Sequence, residues 1–361
     1  MQTVHLIAAA RPNFMKVAPL WHALQASGHF TPVLVHTGQH YDPNLSDAIF
    51  ADLALPAPDF HLGVGSGSHA EQTGGVMIGY EKIARTHRPD WLVVVGDVNS
   101  TLACALVGAK LRILTVHLEA GLRSGDREMP EEINRLATDV VVDVLWTPSP
   151  DADANLLREG IPPDRITRVG NIMLDSFEMV REQVESAAEW EAQGVPRGCY
   201  GVVTLHRPSN VDAPEQLKAL TAALIEVQAR LPLVFPVHPR TAARLAETGE
   251  GAVLTRAGVR VVDPLPYKRF MSLVVGSRLT ITDSGGIQEE TTYLGLPCLT
   301  LRDNTERPIT ISQGTNRLVN SASLAREADA AMLPGKSHPR PEYWDGRTAE
   351  RCIADLRRRI A

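Results

Sequence analysis

Short apolar runs alternate with amphipathic segments along almost the whole chain. This alternation is typical of βαβ units, in which helices join the strands of a parallel sheet. In the first half we predict strands at Val4–Ala8, Pro32–Thr37, Trp91–Val95, Ile113–His117, Leu145–Thr147 and Arg165–Val169. Helices are predicted among them, for example at Phe14–Ala26, His69–Thr86 and Leu102–Ala109.

The alternation resumes after a polar and charged stretch, Glu182–Gly198, which we interpret as the passage between two domains. Strands are predicted beyond it at Tyr200–Leu205, Leu233–Val237, Val259–Val262, Leu279–Thr282 and Cys298–Leu301. The predicted helices include Pro214–Gln228, Tyr267–Val275 and Gly286–Leu294. The tail, Arg347–Ile360, has the pattern of an amphipathic basic helix.

Two similar α/β halves in a chain of 361 residues predict two Rossmann-like domains, because one ordinary core rarely grows so large. We assign residues 1–171 to the first domain, completed by the C-terminal helix at 347–361, and residues 172–346 to the second. In open α/β sheets, ligands bind outside the carboxyl ends of the strands. The residues that follow each predicted strand are therefore the candidates for function.

Composition excludes several classes of protein. The net charge of −6 argues against a nucleic-acid binder, and no apolar run approaches the roughly 20 residues that span a bilayer. The N-terminus has no basic region or cleavage signal. The four cysteines are far apart, with no Cys-x-x-Cys pair, which argues against a disulfide framework or a zinc site. We expect a cytoplasmic protein.

Charged residues follow two strands of the first half. Arg11 and Lys16 flank a predicted helix start, where a positive charge opposes the helix dipole unless an anion is bound. They are interpreted either as an anion site or as ordinary surface bases. Asp97 follows a buried strand and Gly96, and it could be a helix N-cap or a functional carboxylate.

Two further acids come later in the first half. Glu119 comes soon after an apolar strand and has Gly121 close by, which favours a functional role. A buried glutamate needs a partner, and Arg123 could be that partner. Glu131 lies in the first turn of a helix that begins at Pro130, and helix-start chemistry alone accounts for it.

The second half contains the most specific local pattern, Asp283-Ser284-Gly285-Gly286, between a strand and a helix. The glycines allow a close backbone approach, and a helix N-terminus favours phosphate. Glu290, one turn into the helix, could hold a ribose diol, although a solvated helix face is the alternative. His206 and the adjacent Arg207 end another strand and suit either a diphosphate contact or an acid–base role, or simply the surface.

Seven motifs occur in order between about Val4 and Leu318, and together they form a family pattern. They read Arg-Pro-x-x-x-Lys, Gly-Asp, His-x-Glu-Ala-Gly-Leu-Arg, Pro-Glu-Glu-x-Asn-Arg, His-Arg, Asp-Ser-Gly-Gly-x-Gln-Glu-Glu and Thr-Glu-Arg-Pro. The chain resembles the non-hydrolysing UDP-N-acetylglucosamine 2-epimerases. This resemblance implies the glycosyltransferase-B arrangement, with two Rossmann-like domains and the active site in the cleft between them. It also implies a homodimer.

The resemblance assigns roles residue by residue. The residues matching the family's catalytic groups are Asp97, Glu119, Glu131 and His206. Those implied to bind the UDP-sugar are Arg11, Lys16, Phe270, Ser284, Gly285, Gly286, Glu290 and Arg307. Those matching parts of a second, regulatory nucleotide-sugar site are Gln39, Arg207 and His238. For Glu131 this implication replaces the helix-start interpretation.

The chain departs from the family pattern at several positions, which are Ala9, Asn13, Tyr41-Asp42, Val98 and Leu265. The departure after Gln39-His40 affects the implied regulatory site, and Leu265 affects the implied contacts to the uracil. Close relatives of the family act on UDP-sugars with a uronic acid and two acetamido groups, and the motifs do not separate these substrates. A glycosyltransferase of the same architecture, a hydrolysing epimerase and a non-enzymatic nucleotide-sensing module are the further alternatives.

The family's reaction implies elimination of UDP to 2-acetamidoglucal, followed by re-addition with a proton on the other face of C2. That route needs diphosphate donors and acid–base groups on both faces of the sugar ring. It needs no metal and no nicotinamide cofactor.

Overall fold

The strands of the chain form two parallel sheets, one in each of two units. The computed structural model describes residues 1–9, 11–38, 50, 52–333 and 340–360. Packing groups residues 1–179 with 342–361 as the first unit, and residues 180–341 form the second.

The first unit has a seven-stranded sheet in the order β3-β2-β1-β4-β5-β6-β7. Its strands are β1 Gln2–Ala8, β2 Phe30–His36, β3 Phe60–His61, β4 Trp91–Val95, β5 Leu114–Leu118, β6 Val144–Thr147 and β7 Ile166–Arg168. All five residues of β4 are buried, as expected for a parallel strand with helices on both faces. Chain order reverses between β1 and β4, so a crevice is expected at their carboxyl ends.

The second unit has a six-stranded sheet in the order β10-β9-β8-β11-β12-β13. Its strands are β8 Gly201–Thr204, β9 Leu233–Pro236, β10 Arg260–Val262, β11 Leu279–Thr282, β12 Cys298–Leu301 and β13 Asn316–Val319. The reversal of order here lies between β8 and β11. Both sheets therefore have the doubly wound pattern, and the predicted α/β fold with two Rossmann-like halves is confirmed.

Helices fill the connections of both units. In chain order they are α1 Arg11–Ser27, α2 His69–Thr86, α3 Asn99–Leu111, α4 Pro130–Val141, α5 Pro150–Arg158, α6 Ile172–Ser186, α7 Glu189–Ala192, α8 Pro208–Val211, α9 Pro214–Gln228, α10 Pro239–Thr248, α11 Glu250–Arg256, α12 Tyr267–Val275, α13 Gly285–Leu294, α14 Ile309–Ser312, α15 Leu324–Met332 and α16 Thr348–Ile360, with a short 3-10 turn at Pro163–Arg165. None of the described helices is long and apolar enough to cross a bilayer.

Two strands lie outside the predicted set, β3 and β13. Strand β3 has only two residues, too few for a periodic pattern. Strand β13 reads Asn-Arg-Leu-Val at the edge of its sheet and contains no apolar run that would predict a strand. The stretch interpreted as the passage between domains contains the end of α6 and all of α7. Its Trp190 is buried, and Glu189 forms an ion pair with Arg269 of α12.

The division between the units falls inside α6. Residues 172–179 and 342–346, assigned to the second domain from the sequence, group with the first unit. There Asp175 accepts hydrogen bonds from the N–H groups of Thr348 (3.0 Å) and Ala349 (2.7 Å), which caps α16. Trp146 of β6 donates to Asp355 of α16 at 2.8 Å. The C-terminal helix therefore packs on the first sheet.

Candidate active site

Gly96 forms a tight turn at the carboxyl end of β4, with a φ of +70° that glycine adopts without strain. A Cβ placed on Gly96 would lie 3.3 Å from Lys16 Nζ, 3.7 Å from Asn13 Nδ2 and 3.7 Å from Glu119 Oε2. These side chains come from α1 and from the end of β5. The topology therefore brings them together around the turn, at the point of the sheet where the strand order reverses between β1 and β4.

Lys16 and Glu119 form a buried ion pair, in which the ammonium donates to Oε2. Glu119 is 5 % exposed and has a φ of +71°, a conformation that a non-glycine residue rarely adopts. Its other oxygen, Oε1, is buried and has no hydrogen-bond partner among the described residues. Backbone strain and an unsatisfied carboxylate oxygen in one residue are typical of functional sites.

Asp97, directly after Gly96, pairs with Arg135 of α4, and its own side chain is 34 % exposed. Arg135 also binds Glu132 at 3.0 Å through Nε. Burial alone would raise the pKa of Glu132, but the backbone N–H of Ser124 and the guanidinium of Arg135 hold it below its usual value. Asp97 is thus a partly exposed carboxylate held by a buried guanidinium.

Glu131, predicted to be catalytic, lies on the exposed side of the first turn of α4. Within the described residues its side chain has no hydrogen bond or ion pair. Its neighbour Glu132 is instead buried, with 2 % of its surface exposed.

Arg11 is the first residue of α1, and its side chain lies outside the described part of the chain.

In the second unit, Asp283 at the end of β11 is fully buried and accepts hydrogen bonds from residues that follow β8. It accepts from the backbone N–H groups of His206 (3.0 Å) and Arg207 (2.9 Å) and from Asn210 Nδ2 (3.1 Å). His206 Nδ1 lies 2.9 Å from its Oδ1. Burial opposes ionisation, but His206 and the Arg207 N–H hold the pKa of Asp283 below its usual value.

The carboxylate of Asp283 therefore fixes the orientation of His206. With Nδ1–H donating to Asp283, the neutral ring presents Nε2 as an acceptor away from it. The imidazole side chain is 38 % exposed. A histidine anchored in this way can take up a proton at Nε2 during a reaction.

Helix α13 begins directly after Ser284, its N-cap, at the same sheet edge. A Cβ on Gly285 would lie 2.8 Å from Arg307 Nη1, whereas a Cβ on Gly286 would meet nothing within 4 Å. Gly285 therefore allows close packing of the arginine, and Gly286 faces open space at the positive end of the helix dipole. The arrangement matches an anion site.

One turn further along α13, Glu290 is 2 % exposed and accepts a hydrogen bond of 2.6 Å from the Tyr267 hydroxyl. Burial raises the pKa of Glu290 to about 7, against the effect of the Tyr267 hydrogen bond. Phe270, half-buried, lies on α12 in the turn after Tyr267.

Arginines surround the start of α13. Arg302 pairs with Glu306 at 2.9 Å, and Arg307 pairs with Glu306 and, at 3.0 Å, with Glu289. Nη1 of Arg302 is buried without a hydrogen-bond partner among the described residues. Burial and the nearby Arg302 lower the pKa of Arg207. The start of α13 is therefore lined by guanidinium groups, which Glu289 and Glu306 hold in place.

Of the residues implied to regulate the enzyme, His238 is the N-cap of α10 and accepts from the Arg240 N–H. Its ring centroid lies 5.7 Å from that of His206. Arg207 Nε donates to the Asp283 carbonyl at 3.0 Å. Gln39 lies outside the described residues.

Comparison with known proteins identifies the family. The family model "UDP-N-acetylglucosamine 2-epimerase" matches residues 22–357. The chain belongs to this epimerase family. A relative from Methanocaldococcus jannaschii, named UDP-N-acetylglucosamine 2-epimerase, is 39% identical over 97% of this chain and 98% of its own. A Pseudomonas aeruginosa relative, named UDP-2,3-diacetamido-2,3-dideoxy-D-glucuronate 2-epimerase, is 38% identical over 88% of both chains.

The fold agrees with that of solved members of the epimerase family. The crystal structure of the M. jannaschii UDP-GlcNAc 2-epimerase, in complex with UDP-GlcNAc and UDP, aligns with a TM-score of 0.89 at 38% identity. The alignment covers 99% of both chains. The family and the fold class predicted from the sequence are thereby confirmed.

Four residues of the site in this epimerase-family chain were not predicted from the sequence: His117, Glu132, Tyr267 and Asp283. Asp283 stood within the recognised Asp-Ser-Gly-Gly pattern, and its position at the end of an apolar strand was an available signal. His117 stood at the end of a predicted strand and within the His-x-Glu-Ala-Gly-Leu-Arg motif, but no role was predicted for it. Its partners are distant in sequence, so no local spacing could indicate them.

Proposed function

We propose that the chain is a non-hydrolysing UDP-N-acetylglucosamine 2-epimerase, which interconverts UDP-N-acetylglucosamine and UDP-N-acetylmannosamine. The observation that carries the proposal is the pair of carboxylates at the ends of adjacent strands β4 and β5. Asp97 and Glu119 flank one turn, and one buried oxygen of Glu119 has no hydrogen-bond partner in the part of the chain that the structure describes. Membership of the family supports the same reaction.

The chemistry explains why such carboxylates are needed. The hydrogen at C2 of the sugar is not acidic, because no carbonyl is adjacent to it. As UDP leaves C1, positive charge develops at the anomeric centre, and a base can then remove the C2 proton to give 2-acetamidoglucal. Carboxylates stabilise such an oxocarbenium-like state, as in glycosidases. Re-addition of UDP with a proton on the other face completes the inversion.

We assign acid–base and charge-stabilising roles to Asp97, Glu119, Glu131 and His206. Glu119 is the best candidate for a proton acceptor, because it has an oxygen with no partner among the described residues. His206, held by Asp283, is suited to exchange a proton at Nε2. The assignment of Glu131 rests on the family pattern alone.

The second unit is proposed to bind UDP. Ser284, Gly285 and Gly286, at the start of α13, offer backbone N–H groups to the diphosphate, with Arg307 beside them. Glu290 is proposed to accept from the ribose hydroxyls, and Phe270 to contact the base. Lys16 and Arg11 are proposed as further contacts to the nucleotide from the first unit. No metal or organic cofactor takes part in the proposed reaction.

The reaction is tested by incubating the protein with UDP-N-acetylglucosamine in D2O and recording proton NMR spectra without added cofactor. UDP-N-acetylmannosamine carrying deuterium at C2 is the expected product. Free N-acetylmannosamine with UDP would instead indicate a hydrolysing epimerase. Full retention of the C2 proton would contradict the proposed proton transfer.

A second candidate substrate is UDP-2,3-diacetamido-2,3-dideoxy-D-glucuronate, favoured by the P. aeruginosa relative at 38% identity. The same NMR experiment with that sugar distinguishes the two candidates. The substrate with the larger kcat/KM is the better match to the site. Turnover of only the uronate would replace the proposed substrate and retain the reaction type.

Gly286→Ala is expected to weaken UDP binding about tenfold, because the new methyl group projects into the open space at the helix start. The melting temperature should not fall, since alanine favours a helix. Isothermal titration with UDP measures the affinity. Gly74→Ala on α2, where a Cβ also meets nothing within 4 Å, is the matched control and should bind UDP normally. Unchanged affinity in Gly286→Ala would contradict the placement of the diphosphate.

Affinity for UDP-N-acetylglucosamine should fall as the pH is lowered through about 7, because Glu290 then becomes protonated and accepts less well. Both phosphates of this ligand are esterified, so the ligand itself does not titrate near neutrality. Tyr267→Phe removes a hydrogen bond that favours the carboxylate and should move the midpoint to higher pH. Binding measured across about pH 6 to 8 gives the midpoint. Glu290→Gln should abolish this pH dependence of the affinity. If the variant kept it, another group would be responsible.

The enzyme is further proposed to be a cytoplasmic homodimer without nucleic-acid or membrane partners. Light scattering after size-exclusion chromatography measures the mass in solution. A monomer mass of about 39.3 kDa would contradict the dimer. Activation by substrate through Gln39, Arg207 and His238 remains a proposal, which a sigmoidal rate curve would support.

A further inference from the structure

His117, on β5, is fully buried and has an acceptor at each ring nitrogen. Its Nε2 lies 2.8 Å from the carbonyl oxygen of Gly96, and its Nδ1 lies 2.5 Å from Asp139 Oδ1. A backbone carbonyl can only accept a hydrogen bond, so Nε2 must carry a proton. The charge of the ring then depends on Asp139.

Asp139 is held in its ionised form. Its Oδ2 accepts from the Gly121 N–H at 3.0 Å and pairs with Arg123 at 2.8 Å. These two donors, the Gly121 N–H and the Arg123 guanidinium, favour the carboxylate over the protonated acid. Arg123 is balanced in turn by Glu159 at 2.7 Å. An ionised Asp139 offers no proton to Nδ1, so both nitrogens of His117 donate and the ring is an imidazolium.

The carbonyl bound by His117 belongs to the turn that carries Asp97. Each of the three carbonyls of this turn accepts from a side chain: Val95 from Asn13 (3.1 Å) and Thr101 (2.8 Å), Gly96 from His117, and Asp97 from Asn134 (2.9 Å). The Gly96 N–H is also fixed, by the Leu118 carbonyl at 3.1 Å. His117 is the cationic donor of the set, and charge-assisted hydrogen bonds are the stronger ones.

We propose that His117 is a positioning residue, which as a buried imidazolium clamps the Gly96 carbonyl and so fixes the turn that presents Asp97 beside Glu119. It does not touch substrate. The inference rests on the proposed epimerase function for its kinetic consequence, whereas the charge of the ring is independent of any activity. Catalytic groups must be held within about 0.5 Å of their working geometry, and the hydrogen bond from His117 to Gly96 meets this need for Asp97.

Two substitutions separate the two hydrogen bonds of His117. In His117→Asn the amide nitrogen replaces Nδ1, keeping the Asp139 contact and losing the Gly96 contact. In His117→Gln the amide nitrogen reaches the position of Nε2 and keeps the Gly96 contact. His5, another buried histidine of the first unit, lies outside the site, and His5→Gln is the matched control for loss of a buried ring.

The proposal predicts that His117→Asn lowers kcat by about tenfold to a hundredfold, with KM changed less than about threefold. His117→Gln should retain about tenfold more of kcat than His117→Asn, and His5→Gln should keep the wild-type value. All rates are measured well below each variant's melting temperature. Equal kcat values in the two His117 variants, whether both high or both low, would overturn the clamp.

The charge is tested on the unmodified protein by nitrogen NMR with labelled histidine, assigned through the spectrum of His117→Gln. His117 should show two protonated ring nitrogens at neutral pH. His5 is an internal reference for a neutral ring, because burial lowers its pKa to about 4. A neutral His117 would overturn the inference even in an active enzyme. Absence of epimerisation by the wild type, with an imidazolium at His117, would instead reject the proposed function.

Discussion

Glu119→Gln is expected to lower kcat for epimerisation by about a thousandfold, the largest effect of any single change considered. Positioned acid–base groups contribute about a hundredfold to ten-thousandfold to a rate, and Glu119 also balances the buried ammonium of Lys16. The amide retains the size of the side chain but can neither accept the C2 proton nor carry the charge. Incorporation of deuterium at C2 should fall in parallel with epimerisation.

The measurement combines NMR turnover in D2O with thermal melting of the same sample. Glu81→Gln on α2 is the matched control, since the ion pair of Glu81 with Arg85 is exposed and contributes little. It should retain wild-type turnover. If Glu119→Gln kept activity within about threefold of wild type, the proton-transfer role would have to pass to Asp97, Glu131 or His206, whose amide variants are tested in the same way.

Asp283→Asn should have the second largest effect, reducing kcat by about a hundredfold or more and stability by about 2 to 4 kcal/mol. The carboxylate accepts from two backbone N–H groups, Asn210 and the ring of His206. An amide has one acceptor oxygen, and its NH2 group would face donors. The ring of His206 would then lose the partner that sets its tautomer.

A double-mutant cycle tests whether Asp283 acts on the reaction through His206. We expect Asp283→Asn combined with His206→Asn to have the kcat of His206→Asn alone, because residues that act as a unit are not additive. Denaturant unfolding measures the stability loss separately. Fully additive losses in kcat would assign Asp283 an independent role, such as holding the Arg207 backbone.

The local sequence was sufficient to predict most of the strands and the residues at their ends. Trp91–Val95 is apolar throughout, so it had to be a buried strand, and Asp97 had to emerge where it ends. The Ser284-Gly285-Gly286 pattern between an apolar strand and a helix likewise predicted an anion site without any knowledge of packing. Edge elements such as β3 were not predictable, because an edge strand of two residues needs no hydrophobic repeat.

The environments of the acids were decided by the tertiary structure. Pro130-Glu131-Glu132 shows two equivalent acids in a first helical turn, yet Glu132 is buried against Arg135 and Glu131 is exposed. The direction of the helix face, set by packing, makes the difference.

By itself the sequence determined the α/β class, the family and the set of groups at the strand ends, because periodicity and motifs are local properties of the chain. Only the fold decided which groups meet. Lys16 reaches Glu119 and His117 reaches Gly96, because parallel pairing places the ends of β1, β4 and β5 side by side. The packing of α4 brings Asp139 to His117. Such contacts join residues far apart in the chain, and their charges depend on burial, which no local pattern records.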